Sequence, residues 1–384
     1  MLSKLVSWWS YFYAIPWCVP AWGWSEFRAT TGCILTGRVG TGPAARRFAD
    51  AVGSFLGARY ALPVNRGQTA IEIGLRAMGI GPGDDVVLPA FLCRSALDAV
   101  TGTGATPVFA DVGPDLNVTP ATILAALTVR TKCVIVAHLF GAAAPIGEIE
   151  ELLAKRGIAL MDDAAQALGA RCAGRLVGTF GACGIVSCGP GKPLAGAAGG
   201  LLLTNDQALY ERAAALPLQS EGSFDVARRT LSFWLWRRFR RFTLPFKVIL
   251  DRAFGEAAEP PHMNARLSNL DAAMALAQFN SLAENAARRR QNGALLASRL
   301  AHPGYEQLSD FSPASMLAKL VYVVPEEGPP LTAIIRTLAA AGIECQGGYR
   351  PLNEGIGMAA DIPLTEALWQ RVLCVPVETR PRIA

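Results

Sequence analysis

From about residue 45, short apolar runs alternate with segments of helical periodicity, a pattern that indicates a wound α/β sheet. The apolar runs predict strands at residues 85–88, 106–109, 133–136, 158–161, 184–187 and 200–204. The helical segments between them predict helices at residues 70–78, 120–127 and 146–156. The spacing of the first four strands predicts parallel crossovers, and the glycine-rich loop between the last two predicts an antiparallel pair.

The pattern changes beyond Pro261, where residues 267–300 are helical in periodicity. A strand candidate at 320–324 and a helix at 331–341 follow, and together they predict a small C-terminal domain. We therefore divide the chain into an aromatic N-terminal segment (1–27), a large domain (28–260) with an insertion at about 217–260, and a C-terminal part (261–384).

Composition excludes several classes of protein. With 51% hydrophobic and 17% charged residues in 384, the chain is too apolar to be disordered and long enough to bury a large core. Its nine cysteines contain no CxxC pair, which favours a reducing, cytoplasmic compartment over a disulfide scaffold. The three histidines are far apart in sequence, so no zinc-type cluster is predicted.

Two segments are unusually aromatic. Residues 5–24 form an uncharged run interrupted by Pro16 and Pro20, which indicates an interfacial segment more than a spanning helix or a signal peptide. The insertion interleaves arginines with aromatic residues at 231–242, and the net charge of the chain is +5. Seven of the eight tryptophans lie in these two segments, which favours a peripheral contact with the membrane. A buried structural or oligomer contact is the alternative, and single-stranded nucleic acid is the least favoured partner.

The sequence 158–170, IALMDDAAQALGA, carries the first chemical signal, an apolar strand that runs into Asp162 and Asp163 and then into a helix of small residues. Ligands of wound sheets bind at the carboxyl ends of strands, so these acids are site candidates. Alternatively, both aspartates cap the helix that follows.

Lys192 carries the second signal, since it is one of six lysines and lies in a loop of small residues between apolar strands. An apolar wall disfavours the ammonium form, as a Schiff-base amine requires, although an exposed loop lysine is the alternative. A strand-end Asp and a loop Lys suit pyridoxal phosphate, whose pyridine nitrogen needs a carboxylate. Residues 65–70 then offer a phosphate cup at a helix N-terminus, or else a simple cap at Thr69.

On these residues the chain resembles the DegT/StrS type of pyridoxal-phosphate-dependent sugar aminotransferase, a fold-type-I family. The resemblance covers roughly residues 26–384 with an interruption near 215–260, and its most specific stretches are 105–111, 138–141, 162–170 and 187–200. It implies an α/β fold in which the large domain has a mostly parallel, seven-stranded type of sheet and the small C-terminal domain is α+β.

The resemblance also implies roles for individual residues. Lys192 matches the Schiff-base lysine, Asp163 the partner of the pyridine nitrogen, and Gln166 the glutamine near the phenolic oxygen of the cofactor. The positions that match the phosphate cup are Gly67, Gln68 and Ser187, and the position that reaches a neighbour's phosphate across a dimer interface is Asn264.

Four positions depart from the family pattern. Cys93 stands where an aromatic ring commonly stacks on the cofactor, and Gly189 and Asn353 each replace a histidine. Ala198 replaces the glutamate of a glycine-rich run. The cofactor half of the pattern is thus retained more completely than the substrate half.

The resemblance implies a homodimer that moves an amino group from a donor such as glutamate to a keto-sugar, nucleotide- or lipid-linked, for a cell-surface glycan. Related dehydratases of this fold carry histidine in place of the lysine, so Lys192 argues against that activity. A membrane-associated regulator that binds pyridoxal phosphate without turnover is the other alternative.

Overall fold

A seven-stranded sheet lies at the centre of the structure, a computed structural model that describes residues 15–18, 23–238 and 264–378, without the side chains of 236–238. The strands are β1 (Tyr60–Val64), β2 (Asp85–Pro89), β3 (Thr106–Ala110), β4 (Thr131–Ala137), β5 (Ala159–Asp163), β8 (Cys183–Ser187) and β9 (Gly200–Thr204). A short hairpin, β6 (Arg171–Cys172) and β7 (Arg175–Leu176), lies between β5 and β8.

The order of the large sheet is β1-β9-β8-β5-β4-β2-β3. Strands β3, β2, β4, β5 and β8 pair in parallel, whereas β9 pairs antiparallel with both β8 and β1. The mostly parallel sheet, the parallel crossovers and the antiparallel pair at its end are therefore confirmed. Strand β1 was missed, because its YALPV sequence includes a proline and lies at the sheet edge.

Helices cover both faces of the sheet. The described helices of the large sheet's layers and their connections are α1 (Trp24–Leu35), α2 (Ala44–Leu56), α3 (Gly67–Ala77), α4 (Arg94–Gly102), α5 (Pro120–Ala126), α6 (Ile146–Ala154), α7 (Gln207–Ala215), α8 (Ser223–Arg238) and α9 (Asn269–Phe279). Residues of α3, α4 and α7 share one core with Val86 and Leu88 of β2, whereas residues of α5 and α6 pack with Val87. Successive residues of β2 thus face opposite layers, which explains why this strand is apolar throughout.

The C-terminal part forms a second sheet, antiparallel and four-stranded, in the order β10-β11-β13-β12. Its strands are β10 (Glu306–Gln307), β11 (Lys319–Val323), β12 (Gln346–Gly347) and β13 (Val372–Pro376), and its helices are α10 (Leu282–Leu300), α11 (Leu331–Ala340) and α12 (Pro363–Leu368). The predicted strand and the helix after it are confirmed. The predicted boundary at residue 260 falls outside the described residues.

The helical character of 267–300 is confirmed, and the stretch consists of two helices, since α9 ends at Phe279 and α10 begins at Leu282. One local expectation is wrong. Residues 165–169 form turns instead of the expected helix, and both Asp162 and Asp163 belong to β5. Because no helix follows directly, the helix-capping interpretation of the two aspartates is also wrong.

The aromatic segments are described only in part, since Trp8, Trp9, Trp22 and residues 239–260 lie outside the described residues. Ile15 forms an isolated parallel bridge with Ile343, so this part of the N-terminal segment packs on the small sheet. Trp234 in α8 is buried, and its Nε1–H points at Met274 Sδ, 3.0 Å away. Within 15–18, 23–238 and 264–378, no helix combines the length and apolar character needed to cross a bilayer.

Candidate active site

One cavity lies at the carboxyl ends of β4, β5 and β8, where a wound sheet binds its ligands. Seven of the eight residues predicted from the sequence line it: Gly67, Gln68, Cys93, Asp163, Gln166, Ser187 and Lys192. Four segments supply these residues: the connections from β1 to α3 and from β2 to α4, the end of β5 with the turn after it, and the end of β8 with the loop to β9. The sheet topology thus brings together residues over a span of 126 positions in the sequence, from 67 to 192.

The two aspartates face opposite ways because they are consecutive residues of a strand. Asp163 lines the cavity. Asp162 is fully buried below it, and its Oδ2 accepts hydrogen bonds from the backbone N–H groups of Gly178, Thr179 and Phe180 at 2.6, 2.9 and 3.0 Å. Asp162 is therefore a structural anchor, and Asp163 is the carboxylate available to a ligand.

His138, the residue after β4, also lines the cavity, although the residue-by-residue assignment from the sequence omitted it. Its Nδ1 accepts a hydrogen bond from the Ala144 N–H at 3.0 Å, so its Nε2 carries the hydrogen that points at Asp162 Oδ1, 2.8 Å away. The sequence signal was the stretch 138–141 directly after a buried strand, where a site residue is expected.

Burial raises the pKa of the Asp163 carboxyl, and the nearby Lys192 ammonium acts to lower it. The Ala165 N–H, which donates to Asp163 Oδ1 at 2.9 Å, also lowers this pKa. A second positive charge placed in the cavity would favour the ionised form of Asp163 in the same way. The carboxylate is thus suited to pair with a protonated ring nitrogen.

The N-terminus of α3 opens toward the same cavity through Gly67 and Gln68. Its N-cap, Arg66, has extended backbone and makes no side-chain capping bond, so the first-turn N–H groups are available to an anion. The alternative of a cap at Thr69 is wrong, because Thr69 lies inside the helix and its hydroxyl bonds Asn65 Oδ1 at 2.7 Å. A Cβ on Gly67 would lie 2.9 Å from Ser187 Cβ, so only glycine leaves this cradle open.

Gln166 is held between two neighbours. Its Oε1 accepts from the Phe140 N–H at 3.2 Å, and its Nε2 donates to the Tyr349 hydroxyl at 3.2 Å. Phe140 and Tyr349 stack with ring centroids 6.1 Å apart, and Phe91 meets Tyr349 edge-on at 5.6 Å. Burial raises the pKa of the Tyr349 hydroxyl well above its usual range, so this group stays protonated and accepts from Gln166.

Lys192 is half-buried in the loop between β8 and β9. Its backbone N–H donates to the Gly189 carbonyl at 3.1 Å, and its carbonyl accepts from Arg289 Nη2 at 3.2 Å. Further along the loop, Ala195 exchanges two hydrogen bonds with the side chain of Gln278. The loop is thereby fixed to α9 and α10, which holds the lysine at the cavity.

Of the two remaining predicted residues, Cys93 lines the cavity and Asn264 does not. The Asn264 carbonyl accepts from the Gln219 N–H at 3.0 Å, next to the Ala265 N–H that donates to Asn65 Oδ1 at 3.3 Å. Ala265, the residue after Asn264, therefore contacts the loop before α3. The Sγ of Cys93 lies 3.2 Å from Ser95 Oγ.

These groups fit pyridoxal phosphate: an amine in Lys192, a buried carboxylate in Asp163, and an uncapped helix N-terminus with a glycine cradle for the phosphate. A second cavity of about 240 Å³ adjoins the first and shares Lys192 and Gln166 with it. A ligand in this outer cavity is therefore in reach of the same amine.

Comparison with known proteins agrees with this geometry. The profile of the DegT/DnrJ/EryC1/StrS aminotransferase family matches residues 23–381. The L-glutamine:2-deoxy-scyllo-inosose aminotransferase of Streptomyces kanamyceticus is 31% identical over 321 residues, 82% of this chain and 71% of the relative. The spore coat polysaccharide biosynthesis protein SpsC of Bacillus subtilis is 29% identical over 278 residues, 72% of this chain and 67% of that protein.

Solved structures of the same fold are also similar. DesV of S. venezuelae, described in complex with a ketimine intermediate, superposes with a TM-score of 0.73 at 26% identity, covering 93% of this chain and 90% of that one. The aminotransferase TlmJ of Streptoalloteichus hindustanus has a TM-score of 0.76 at 24% identity, covering 97% and 95%. At 24% identity, the similarity to TlmJ is evidence for the shared fold alone.

Proposed function

Because this chain belongs to the DegT/DnrJ/EryC1/StrS aminotransferase family, it is a pyridoxal-phosphate-dependent aminotransferase, and we propose that it moves an amino group from glutamate to a keto-sugar. The observation that carries the proposal is the convergence of Lys192, Asp163 and the N-terminus of α3 on one cavity. An amine, a carboxylate and an anion site in one cavity are what amino transfer requires.

In the proposed reaction the Lys192 amine would hold the cofactor, and the same amine would serve as the base that takes a proton from the Cα of the donor and as the acid that gives it back. When bound, the cofactor supplies a ring that accepts electrons from that carbon. Asp163 would hold a proton at the ring nitrogen, and Gln166 would lie near the phenolic oxygen. Gly67, Gln68 and Ser187 would hold the phosphate, and Cys93 lines the cavity where relatives commonly stack an aromatic ring.

The names of the relatives support a sugar or a sugar-like cyclic ketone as the acceptor, since one acts on 2-deoxy-scyllo-inosose and another serves spore coat polysaccharide biosynthesis. We propose a nucleotide- or lipid-linked keto-sugar of a cell-surface polysaccharide. The reaction is assigned to the cytoplasm, in keeping with nine cysteines that are all free.

The test is an absorbance scan of the loaded enzyme after addition of L-glutamate alone, followed by addition of candidate keto-sugars. Amino transfer converts the bound cofactor to its amine form with glutamate, and a keto-sugar restores the starting spectrum. A regulator without turnover leaves the spectrum unchanged. A dehydratase releases an unsaturated or deoxygenated sugar instead of an amino-sugar, which mass spectrometry of the product distinguishes.

We also propose that the enzyme acts as a homodimer in which Asn264 of one subunit approaches the phosphate held by the other. The position of Asn264 beside the loop before α3, but outside the cavity of its own chain, supports this assignment. Small-angle scattering of the loaded enzyme measures the mass directly, and a fully active monomer would exclude the idea.

Finally, we propose a peripheral contact with the inner face of the membrane. Helices α1 and α8, both of which contact α9, expose several large apolar side chains: Trp24, Phe27, Ile34, Leu35, Phe224, Leu231 and Leu235. The burial of Trp234 assigns that residue to the protein core, so the contact rests on these side chains and on the basic sequence after them. We also propose that the chain is divided into an N-terminal segment (1–27), a large domain (28–260) and a C-terminal part (261–384).

A further inference from the structure

The outer cavity, which shares Lys192 with the cofactor site, contains a second lysine. Lys319, the first residue of β11, lines this cavity together with Trp17 and Gln166. Its side chain is only 6% exposed. A buried ammonium is costly unless it is paired and hydrogen-bonded, and Lys319 has partners of both kinds.

Lys319 belongs to a buried cluster with unequal charges. Its Nζ lies 2.7 Å from Glu378 Oε1, and Arg289 Nη1 lies 3.6 Å from the same oxygen. The side chain of Lys319 is 6% exposed, that of Glu378 4% and that of Arg289 2%. Two cations therefore share one carboxylate. The arginine directs its other hydrogen bonds to the carbonyls of Ala318 and Lys192.

Trp17 orients the lysine. Lys319 Nζ donates to the Trp17 carbonyl at 2.8 Å and lies 4.2 Å from the centre of the indole ring. Trp17 is in turn held by Glu344, whose Oε2 accepts from the Trp17 N–H at 2.8 Å. An ammonium has three N–H donors, and the carbonyl and Glu378 take two of them. Within the part of the chain that the structure describes, the third has no hydrogen-bond acceptor, and Lys319 lines the outer cavity.

We propose that Lys319 binds a carboxylate of the amino-acid donor and that Trp17 is the residue that positions it. This inference rests on the proposed donor, whose amine must reach Lys192 from the outer cavity. A donor carboxylate in this cavity would form a charge-assisted hydrogen bond with the Lys319 ammonium. The indole ring of Trp17, 4.2 Å from Nζ, covers another part of the ammonium.

The experiment compares Lys319→Met with wild type and with Lys155→Met, a lysine exposed at the end of α6 and remote from the cavity. Titration with L-glutamate is followed by the absorbance of the bound cofactor. Titration with 1-aminopropane, which has an amine and no carboxylate, is followed in the same way. The dissociation constant of glutarate, a dicarboxylate without an amine, is measured by calorimetry.

We expect Lys319→Met to raise the half-saturating glutamate concentration and the glutarate dissociation constant roughly tenfold or more, the size of a charge-assisted hydrogen bond. The response to 1-aminopropane and the borohydride-reduced linkage at Lys192 stay at the wild-type level. Lys319→Arg recovers part of the affinity, and Lys155→Met matches wild type in every assay.

Two results would overturn the inference: unchanged glutamate and glutarate binding in Lys319→Met, or equal weakening of glutamate and 1-aminopropane, which indicates general damage. Failure of the proposed donor has a different signature, because wild-type enzyme then shows no spectral change with glutamate. In that case glutarate binding alone decides whether Lys319 is a carboxylate site.

Discussion

His138 Nε2 lies 2.8 Å from Asp162 Oδ1, and both side chains are fully buried, His138 at the wall of the cavity that Asp163 faces. This contact, together with three backbone N–H donors, satisfies Asp162 entirely within the protein. Asp162 thus holds the loop 178–180, whereas the adjacent Asp163 faces the ligand cavity.

The first prediction follows from that separation. Asp163→Asn should lower the rate of amino transfer by roughly 100-fold or more with unchanged thermal unfolding, because a neutral amide cannot stabilise a protonated ring nitrogen. Asp162→Asn should instead destabilise the fold by about 1.5–3 kcal/mol, since its hydrogen bonds lose their charge. Steady-state rates and thermal melts of both variants check this. Equal loss of rate at equal stability would contradict the assignment.

Lys192→Ala should abolish amino transfer and the borohydride-trapped linkage between cofactor and protein, because this amine lines the cofactor cavity. Peptide mapping after reduction identifies the attachment site in wild type. Lys155→Ala, at an exposed helix end, is the matched control and should keep both properties. A reduced cofactor mapped to another lysine would refute the role of Lys192.

Gly67→Ala should weaken cofactor binding roughly tenfold, because the added Cβ would lie 2.9 Å from Ser187 Cβ and 3.0 Å from its Oγ. Either the α3 N-terminus or Ser187 must move out of the phosphate cradle. The dissociation constant is measured by absorbance titration. Gly32→Ala in α1, where an added Cβ meets nothing within 4 Å, is the control and should bind normally.

Buried cysteines should be alkylated more slowly than partly exposed ones. Desolvation raises the pKa of Cys183 and of Cys374 to about 12, so both thiols remain protonated at pH 8. Cys93 and Cys172 are partly exposed and should be alkylated first, with rates that rise with pH because the thiolate is the nucleophile.

Iodoacetamide labelling of native enzyme, read by peptide mass spectrometry, checks this order. Bound cofactor should protect Cys93, which lines the cavity, and leave Cys172 reactive. Early modification of Cys183, or labelling of Cys93 that ignores the cofactor, would contradict the proposed site.

The membrane proposal predicts that full-length protein floats with anionic vesicles at low salt. Replacing Arg237, Arg238, Arg240 and Arg241 by Gln should release much of it, because each basic residue near an anionic surface contributes roughly 1 kcal/mol. High salt should have the same effect.

A control variant neutralises four exposed arginines elsewhere, Arg46, Arg156, Arg171 and Arg299, and should still float. Protein that stays at the bottom of the gradient with every lipid composition would show that the aromatic segments pack within the protein or its dimer.

Much of the architecture could be predicted from the sequence alone, since apolar runs and helical periodicity reflect local burial. Strands β2 to β5, β8 and β9 were located to within about two residues in this way, and Asp163 was placed at a strand end and Lys192 in the loop after a strand. Strand β1 and the break between α9 and α10 were missed, because pairing at a sheet edge and helix packing depend on distant partners.

Side-chain direction and charge pairing were decided only by the tertiary structure. That Asp162 is an anchor follows from backbone groups at 178–180, and that Trp17 lies at the site follows from its contact with Lys319, 302 positions away. A sequence records which residues carry charge and aromatic surface. Which of them share one buried cavity is determined by long-range packing, because burial makes electrostatic and hydrogen-bond energies depend on neighbours that only the folded chain brings together.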